Sequence, residues 1–168
     1  MKNIIRTNLL LVLLFVAKSA IPNNVISFED ITVPTNITVS NGALSLSDYK
    51  SKLGDKSLKW DRQSNSIITI NRPDGLSAAS QKSAGGISLW IYNSVKTDSS
   101  IDFTFLDENN TEKCSISFQL AYTGWRRITV RFREDMSYTR PYTILSKMLI
   151  KSPTTDNSPI YRLPGVFN

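Results

Sequence analysis

Ser115–Arg133 reads S-I-S-F-Q-L-A-Y-T-G-W-R-R-I-T-V-R-F-R. Ile116, Phe118 and Leu120 alternate with Ser117 and Gln119. Beyond the Thr123-Gly124 break, Ile128, Val130 and Phe132 alternate with Arg127, Thr129 and Arg131. Successive side chains of a strand point to opposite faces, so each arm carries one apolar and one polar face. The stretch predicts strand, tight turn, strand: a hairpin with Trp125 and Arg126 at its junction. An apolar sheet face of this kind is buried when a second sheet packs against it.

Outward from this stretch the same pattern recurs. Val25-Ile26-Ser27-Phe28, Ala43–Ser47, Ser57–Trp60, Ile67–Ile70, Ile87–Tyr92 and Ile101–Leu106 read as strands. Asn41-Gly42, Gly54-Asp55 and Arg72-Pro73-Asp74-Gly75 supply the turn chemistry between them. Pro34 to Asn41 is polar and turn-rich. Ser77 to Gly86 is rich in Ser, Ala and Gly and predicts a mobile loop; Asp135 to Pro141 predicts a loop. Asp107 to Lys113 predicts a polar turn. Ile144 to Ile150 is too short for periodicity to separate helix from strand, and strand is favoured. About eight or nine short strands at hairpin spacing, with no amphipathic helix, predict an all-β fold: an antiparallel β-sandwich or jelly roll. Its 168 residues suffice for one domain with a core of its own.

The first residues predict a secretory signal peptide over 1–19. Lys2 and Arg6 precede the apolar run Leu9 to Ala17, which is too short to span a bilayer, and Ala17-Lys18-Ser19 offers a cleavage site before Ala20. The sandwich domain is then expected over residues 25–168, secreted or periplasmic. Removing the three charges of Lys2, Arg6 and Lys18 takes the net charge from +6 to +3. The remaining cations are scattered, which argues against nucleic acid as a partner, and no membrane partner is expected after signal cleavage. Cys114 is the only cysteine, so no internal disulfide forms, and it reads as a small core or edge residue.

The chain holds no histidine, which removes the commonest general base and the commonest zinc ligand. It has no H-E-x-x-H, P-loop or G-x-S-x-G motif. Glu29, beside Asp30, is the candidate metal ligand, through oxygen to a structural calcium, although solvated loop carboxylates have the same sequence. Binding chemistry is better represented. Trp60, Trp90, Tyr92, Tyr122 and Trp125 stand among Arg62, Arg126, Arg127 and Arg131. Aromatic faces stack on sugar rings, and guanidinium forks grip carboxylate or sulfate. Trp60 shares a face with Leu58 and reads as core. The candidate ligand-binding residues are Trp90, Tyr92, Trp125 and Arg126, with a corner-packing role as the competing reading for Trp125.

Four pieces also occur in order: Leu44-Ser-Leu-Ser-Asp48, Gly54-Asp-Lys-Ser-Leu-Lys-Trp60, Ile87-Ser-Leu-Trp-Ile-Tyr-Asn93 and Tyr122-Thr-Gly-Trp-Arg-Arg127. Together they resemble the N-terminal domain of bacterial chondroitin sulfate ABC lyases, over residues 25–153. The resemblance implies a galactose-binding-like jelly roll, similar to carbohydrate-binding modules. It implies β-elimination at a uronic acid of chondroitin or dermatan sulfate, with the catalytic His, Tyr, Arg and Glu in a helical toroid outside this domain. No catalytic residue carries over. The expectation is a non-catalytic, carbohydrate-associated domain of a truncated lyase, with glycosaminoglycan chains and a catalytic lyase domain as partners and no required cofactor. The C-terminus departs from the family. Ser158–Gly165 stands where Tyr-Ile-Asp-Arg closes the family's sandwich. Pro159 and Pro164 cannot donate ladder hydrogen bonds, so a full closing strand is not expected. The missing Asp also weakens a calcium site shared with Glu29. The competing expectation is a secreted interaction or adhesion sandwich with no glycan role, since fold alone does not fix function.

Overall fold

A computed structural model describes residues 26, 28–52, 54–153, 160–162 and 166–167. The predicted signal peptide, Val25, Ser27, Pro159 and Pro164 lie outside these described residues. In chain order the elements are β1 (Ile37–Val39), β2 (Ala43–Ser47), β3 (Ser57–Asp61), β4 (Ile67–Asn71), α1 (Leu76–Gln81), β5 (Gly86–Asn93), β6 (Ser100–Asp107) and β7 (Glu112–Gln119). They continue as β8 (Gly124–Arg131), β9 (Ser137–Tyr138), β10 (Leu145–Lys151), β11 (Ile160–Arg162) and β12 (Val166–Phe167). One sheet has the order β1-β4-β10-β6-β7-β9. In the other, β5 pairs β8 along one edge and β11 and β12 along the opposite edge, while β11 also pairs β3, and β3 pairs β2. Every pairing is antiparallel. The chain is an antiparallel β-sandwich, as the alternation predicts.

The inner faces follow the period of two. Ile68, Ile70, Ile101, Phe103, Phe105, Met148 and Ile150 come from the first sheet, and Leu58, Trp60, Ile87, Leu89, Ile91 and Ile128 from the second. Trp60 is wholly buried, and its indole N–H donates to Ser66 Oγ at 3.2 Å. Burial without a partner would cost an indole N–H free energy, and Ser66 removes that cost.

The opening stretch forms both predicted strands but not the predicted hairpin. β7 pairs β6 and β9 in the first sheet, whereas β8 pairs β5 in the second. The link between them is a corner that carries the chain from one sheet to the other. Leu120 and Tyr122 are buried in it. Asn93, also buried, places Nδ2 within 2.6–2.9 Å of the carbonyls of Val95, Leu120 and Tyr122. These bonds draw the corner's carbonyls to the end of β5 instead of leaving them to pair β7 with β8.

Three further readings change. Ile26 and Phe28 lie outside any strand, although Phe28 is buried in the core. The first strand is instead β1, inside the segment that read as turns; three residues are too few to show a period. The Ser77 to Gly86 loop contains helix α1, which enters through Gly75 at φ 82°. Leu76, Ala79 and Ser80, at helical spacing, bury one face, and Ser80 Oγ accepts from Leu145 N–H at 3.1 Å. Its serines are weak helix formers, so tertiary packing and not propensity makes the helix. Short β9 pairs β7 within the Asp135 to Pro141 loop. The tail forms no full closing strand: Ile160–Arg162 (β11) inserts between β3 and β5, and Val166–Phe167 (β12) pairs β5 alone.

Cys114 lies on the inner face opposite Phe105 and is buried. Burial, with a smaller contribution from the Glu112 charge, pushes its thiol from 9.0 up to about 12. The unfolded chain therefore releases this proton first, so the stabilisation is complete below pH 9 and is lost as pH rises towards 12. Relative to Cys114→Ala, the wild type is expected to lose about 2 kcal/mol of stability between pH 8.5 and 11, read by urea unfolding.

Candidate functional site

The two outer faces differ in chemistry. On the first sheet, Thr69, Lys147, Leu149, Asp102, Thr104 and Ser115 share the outward register and bring no aromatic ring. On the second, β5 turns Ser88, Trp90 and Tyr92 outward because Ile87, Leu89 and Ile91 face the core. Residues directly opposite in an antiparallel pair share a face. Trp125 therefore stands beside Tyr92, Arg127 beside Trp90 and Thr129 beside Ser88.

The rings are held in place. Tyr92 and Trp125 meet edge to face, with centroids 5.2 Å apart at 65°. Trp90, Tyr92 and Trp125 are each half-buried, so ring surface remains accessible on all three. Arg127 Nε donates to Ser88 Oγ at 2.8 Å, and Ser88 Oγ lies 3.1 Å from Thr129 Oγ1. This chain of contacts fixes the guanidinium stem beside Trp90 while Arg127 stays exposed. The loop between β2 and β3 adds two cations. Lys50 Nζ lies 5.3 Å from the Tyr92 centroid, and Lys52 Nζ lies 5.1 Å from that of Trp90. Ammonium groups at this range are attracted to the ring face.

Trp90, Tyr92 and Trp125 thus come together on one face through the β5–β8 register, and Arg126 does not join them. It is opposite Ile91, on the other face of β8, where its guanidinium lies 4.7 Å from the Tyr122 centroid. The cation of the outer face is Arg127. Period two carries that signal, since Trp125, Arg127 and Thr129 share parity. Lys50 and Lys52 have no comparable signal, because their reach depends on how the loop lies across the sheet.

Glu29 has a different environment from a cation ligand. Its carboxylate oxygens accept the backbone N–H groups of Asp55 at 3.0 Å and Lys56 at 3.3 Å. Lys56 Nζ donates to the Asp30 carbonyl at 2.8 Å, so an ammonium already occupies the adjoining oxygens. Among the described residues no group of three acidic, Cys or His side chains converges. The Glu29 carboxylate is thus engaged by backbone donors of the β2–β3 loop. Calcium at millimolar concentration is expected to leave the melting temperature unchanged. Glu29→Ala is expected to lower stability by about 1 kcal/mol through the lost loop hydrogen bonds, read by thermal unfolding.

Comparison with known proteins bears on what such a face is for. Residues 22–162 match the family described as "Lyase, N terminal". The chain is 31% identical over 157 residues to a chondroitin sulfate ABC exolyase of Proteus vulgaris, covering 81% of this chain and 16% of that protein. It is 29% identical over 134 residues to a chondroitin sulfate ABC exolyase of Bacteroides thetaiotaomicron, covering 76% of this chain and 13% of the relative. The chain thus spans about a sixth or less of these relatives. In fold it is similar to a xylan-binding domain from Paenibacillus barcinonensis, with a TM-score of 0.60 at 14% identity, covering 86% of this chain and 91% of that domain. It is likewise similar to a carbohydrate-binding module of the β-sandwich superfamily, with a TM-score of 0.59 at 19% identity, covering 84% of this chain and 60% of that one. With the match running from residue 22 to residue 162 and the sandwich fold in agreement, the chain belongs to the family of N-terminal domains of the chondroitin lyases.

Proposed function

We propose that this domain is a non-catalytic carbohydrate-binding unit that holds a sulfated glycosaminoglycan, of the chondroitin or dermatan sulfate class, on the outer face of β5 and β8. The observation that carries the reading is the continuous face of Trp90, Tyr92 and Trp125 with Arg127, Lys50 and Lys52 around it. Pyranose rings present flat C–H surfaces that suit aromatic stacking, while sulfate and carboxylate groups suit the surrounding cations. Both requirements are met within one sheet face. The lyase relatives support the glycan class.

The reading assigns holding, not cleavage, to these residues. β-Elimination at a uronate needs a base to remove the proton beside the carboxylate. On this outer face Asp61 on β3 is paired to Lys59 at 2.9 Å, and the chain has no histidine. Cleavage belongs, on this reading, to a catalytic lyase domain acting as partner, outside the cytoplasm as the predicted signal peptide suggests. Calorimetric titration with chondroitin sulfate at low and high salt tests it. Binding that weakens with salt is expected, because charge contacts between exposed groups are screened. No heat at low salt rejects the reading. Incubation with the same polymer is expected to give no ultraviolet absorbance from unsaturated uronates, and product formation would overturn the non-catalytic assignment.

A further inference from the structure

The loop Asp48–Lys56 is tied down at both ends and lies with its lysines over the rings of the outer face. At one end Ser57 Oγ donates to the Lys50 carbonyl at 2.5 Å and approaches that of Ser47 at 3.4 Å. At the other, the Glu29 carboxylate takes the N–H groups of Asp55 and Lys56, and Lys56 Nζ reaches the Asp30 carbonyl. Gly54, at φ 70°, packs so close to that carboxylate that a Cβ would overlap it. Between these anchors the loop carries Lys50 and Lys52 from the β2–β3 side, across the register of β11, to Tyr92 and Trp90 on β5. Lys50 also stands 4.6 Å from the centroid of Tyr49.

We propose that this loop is a charged strap whose Lys50 and Lys52 set the site's selectivity for anionic over neutral glycans. The proposal rests on the carbohydrate-binding reading and concerns the means of discrimination. Both rings already have an ammonium on them. A pyranose that stacks on Trp90 or Tyr92 must take the place of a cation–π contact. A neutral sugar returns nothing to the displaced ammonium except water. A sugar bearing sulfate or carboxylate lets the ammonium move sideways onto the anion, forming a charge-assisted hydrogen bond as the ring stacks. The same two lysines therefore oppose one class of ligand and assist the other. Specificity is a difference between two affinities, and a contact that must be broken by the wrong ligand contributes to it as much as one made with the right ligand.

The test is the double variant Lys50→Ala/Lys52→Ala, titrated by calorimetry with a chondroitin 4-sulfate octasaccharide and with xylohexaose as the neutral probe. The chondroitin probe is expected to bind about tenfold more weakly and the neutral probe about three- to fivefold more tightly. Changes of opposite sign are the signature. Loss on both probes, or no change on either, overturns the strap while leaving glycan binding in place. Wild type that binds neither probe overturns both readings. An arm without ligand uses 5-fluorotryptophan, with signals assigned by single Trp→Phe changes. Removing the two lysines is expected to shift the Trp90 fluorine signal and leave that of buried Trp60 in place. A Trp90 signal that does not move overturns the strap whatever the titrations give.

Discussion

A chain cut after Pro153 is expected to lose its native fold, with flattened near-ultraviolet circular dichroism and no cooperative melt. β11 lies between β3 and β5, and its three residues pair on both sides, Ile160 with Trp60 and Asn93, Arg162 with Leu58 and Ile91. Removing it opens a gap one strand wide between the two strands that carry Leu58, Trp60 and Ile91, all fully buried. Water would enter against these side chains. The backbone groups of β3 and β5 that faced β11 would lose their partners, at about 1–3 kcal/mol for each one left buried. Several such losses are comparable with the roughly 5–15 kcal/mol that holds a domain together. A truncated chain with dispersed amide resonances and a cooperative melt would show that the tail is an accessory and not a structural strand.

Trp90→Ala is expected to weaken binding of chondroitin sulfate about ten- to a hundredfold while the domain stays folded. A ring at the centre of a binding face typically contributes about 2 kcal/mol or more when truncated to Ala, and each 1.4 kcal/mol is a factor of about ten. Trp90 lies between Lys52 above it and Arg127 beside it, so its loss removes the stacking surface around which the cations are arranged. Because its ring is only half-buried, the melting temperature should fall by no more than a few degrees. Trp60→Ala is the contrasting case. That side chain is wholly enclosed, and its truncation is expected to cost about 3–5 kcal/mol of stability. The pair of variants, compared by calorimetry and thermal unfolding, separates a ring that binds from a ring that packs. Equal affinity of Trp90→Ala and wild type would remove Trp90 from the site.

Much of this was legible in the sequence where a strand was long enough to show its period. Ile87 to Tyr92 announces two faces, and the structure puts the aliphatic one inward and the aromatic one outward. Trp60 beside Leu58 reads as core for the same reason. What alternation does not contain is the partner of a strand. Ser115–Arg133 looks like a hairpin because two arms flank a turn, yet buried Leu120 and Tyr122, with the Asn93 amide on their carbonyls, make it a crossing between sheets. Arg126 was the wrong neighbour for Trp125 on similar grounds, since adjacency along the chain reverses the face and Arg127 is the residue in register. Helix α1 escaped because its serines suggest a loop, and only packing against Leu145 gives it a reason to form. Prolines argued against a full closing strand, and the tail pairs only in short stretches at 160–162 and 166–167, whose positions no local pattern marks. The strap was out of reach for a different reason: contacts from Lys50 and Lys52 to β5 depend on a three-dimensional path that no local pattern encodes.

The most direct test of the carbohydrate face uses the three tryptophan indole N–H signals in a nitrogen-15 proton correlation spectrum, recorded while a chondroitin sulfate oligosaccharide is added. Trp90 and Trp125 are on the outer face, and Trp60 is buried with its N–H on Ser66. The expected result is progressive, saturable movement of the Trp90 and Trp125 signals with Trp60 fixed. Signals of Trp90 and Trp125 that stay in place while ligand binding is detected elsewhere in the spectrum, or no movement of any signal, would contradict it.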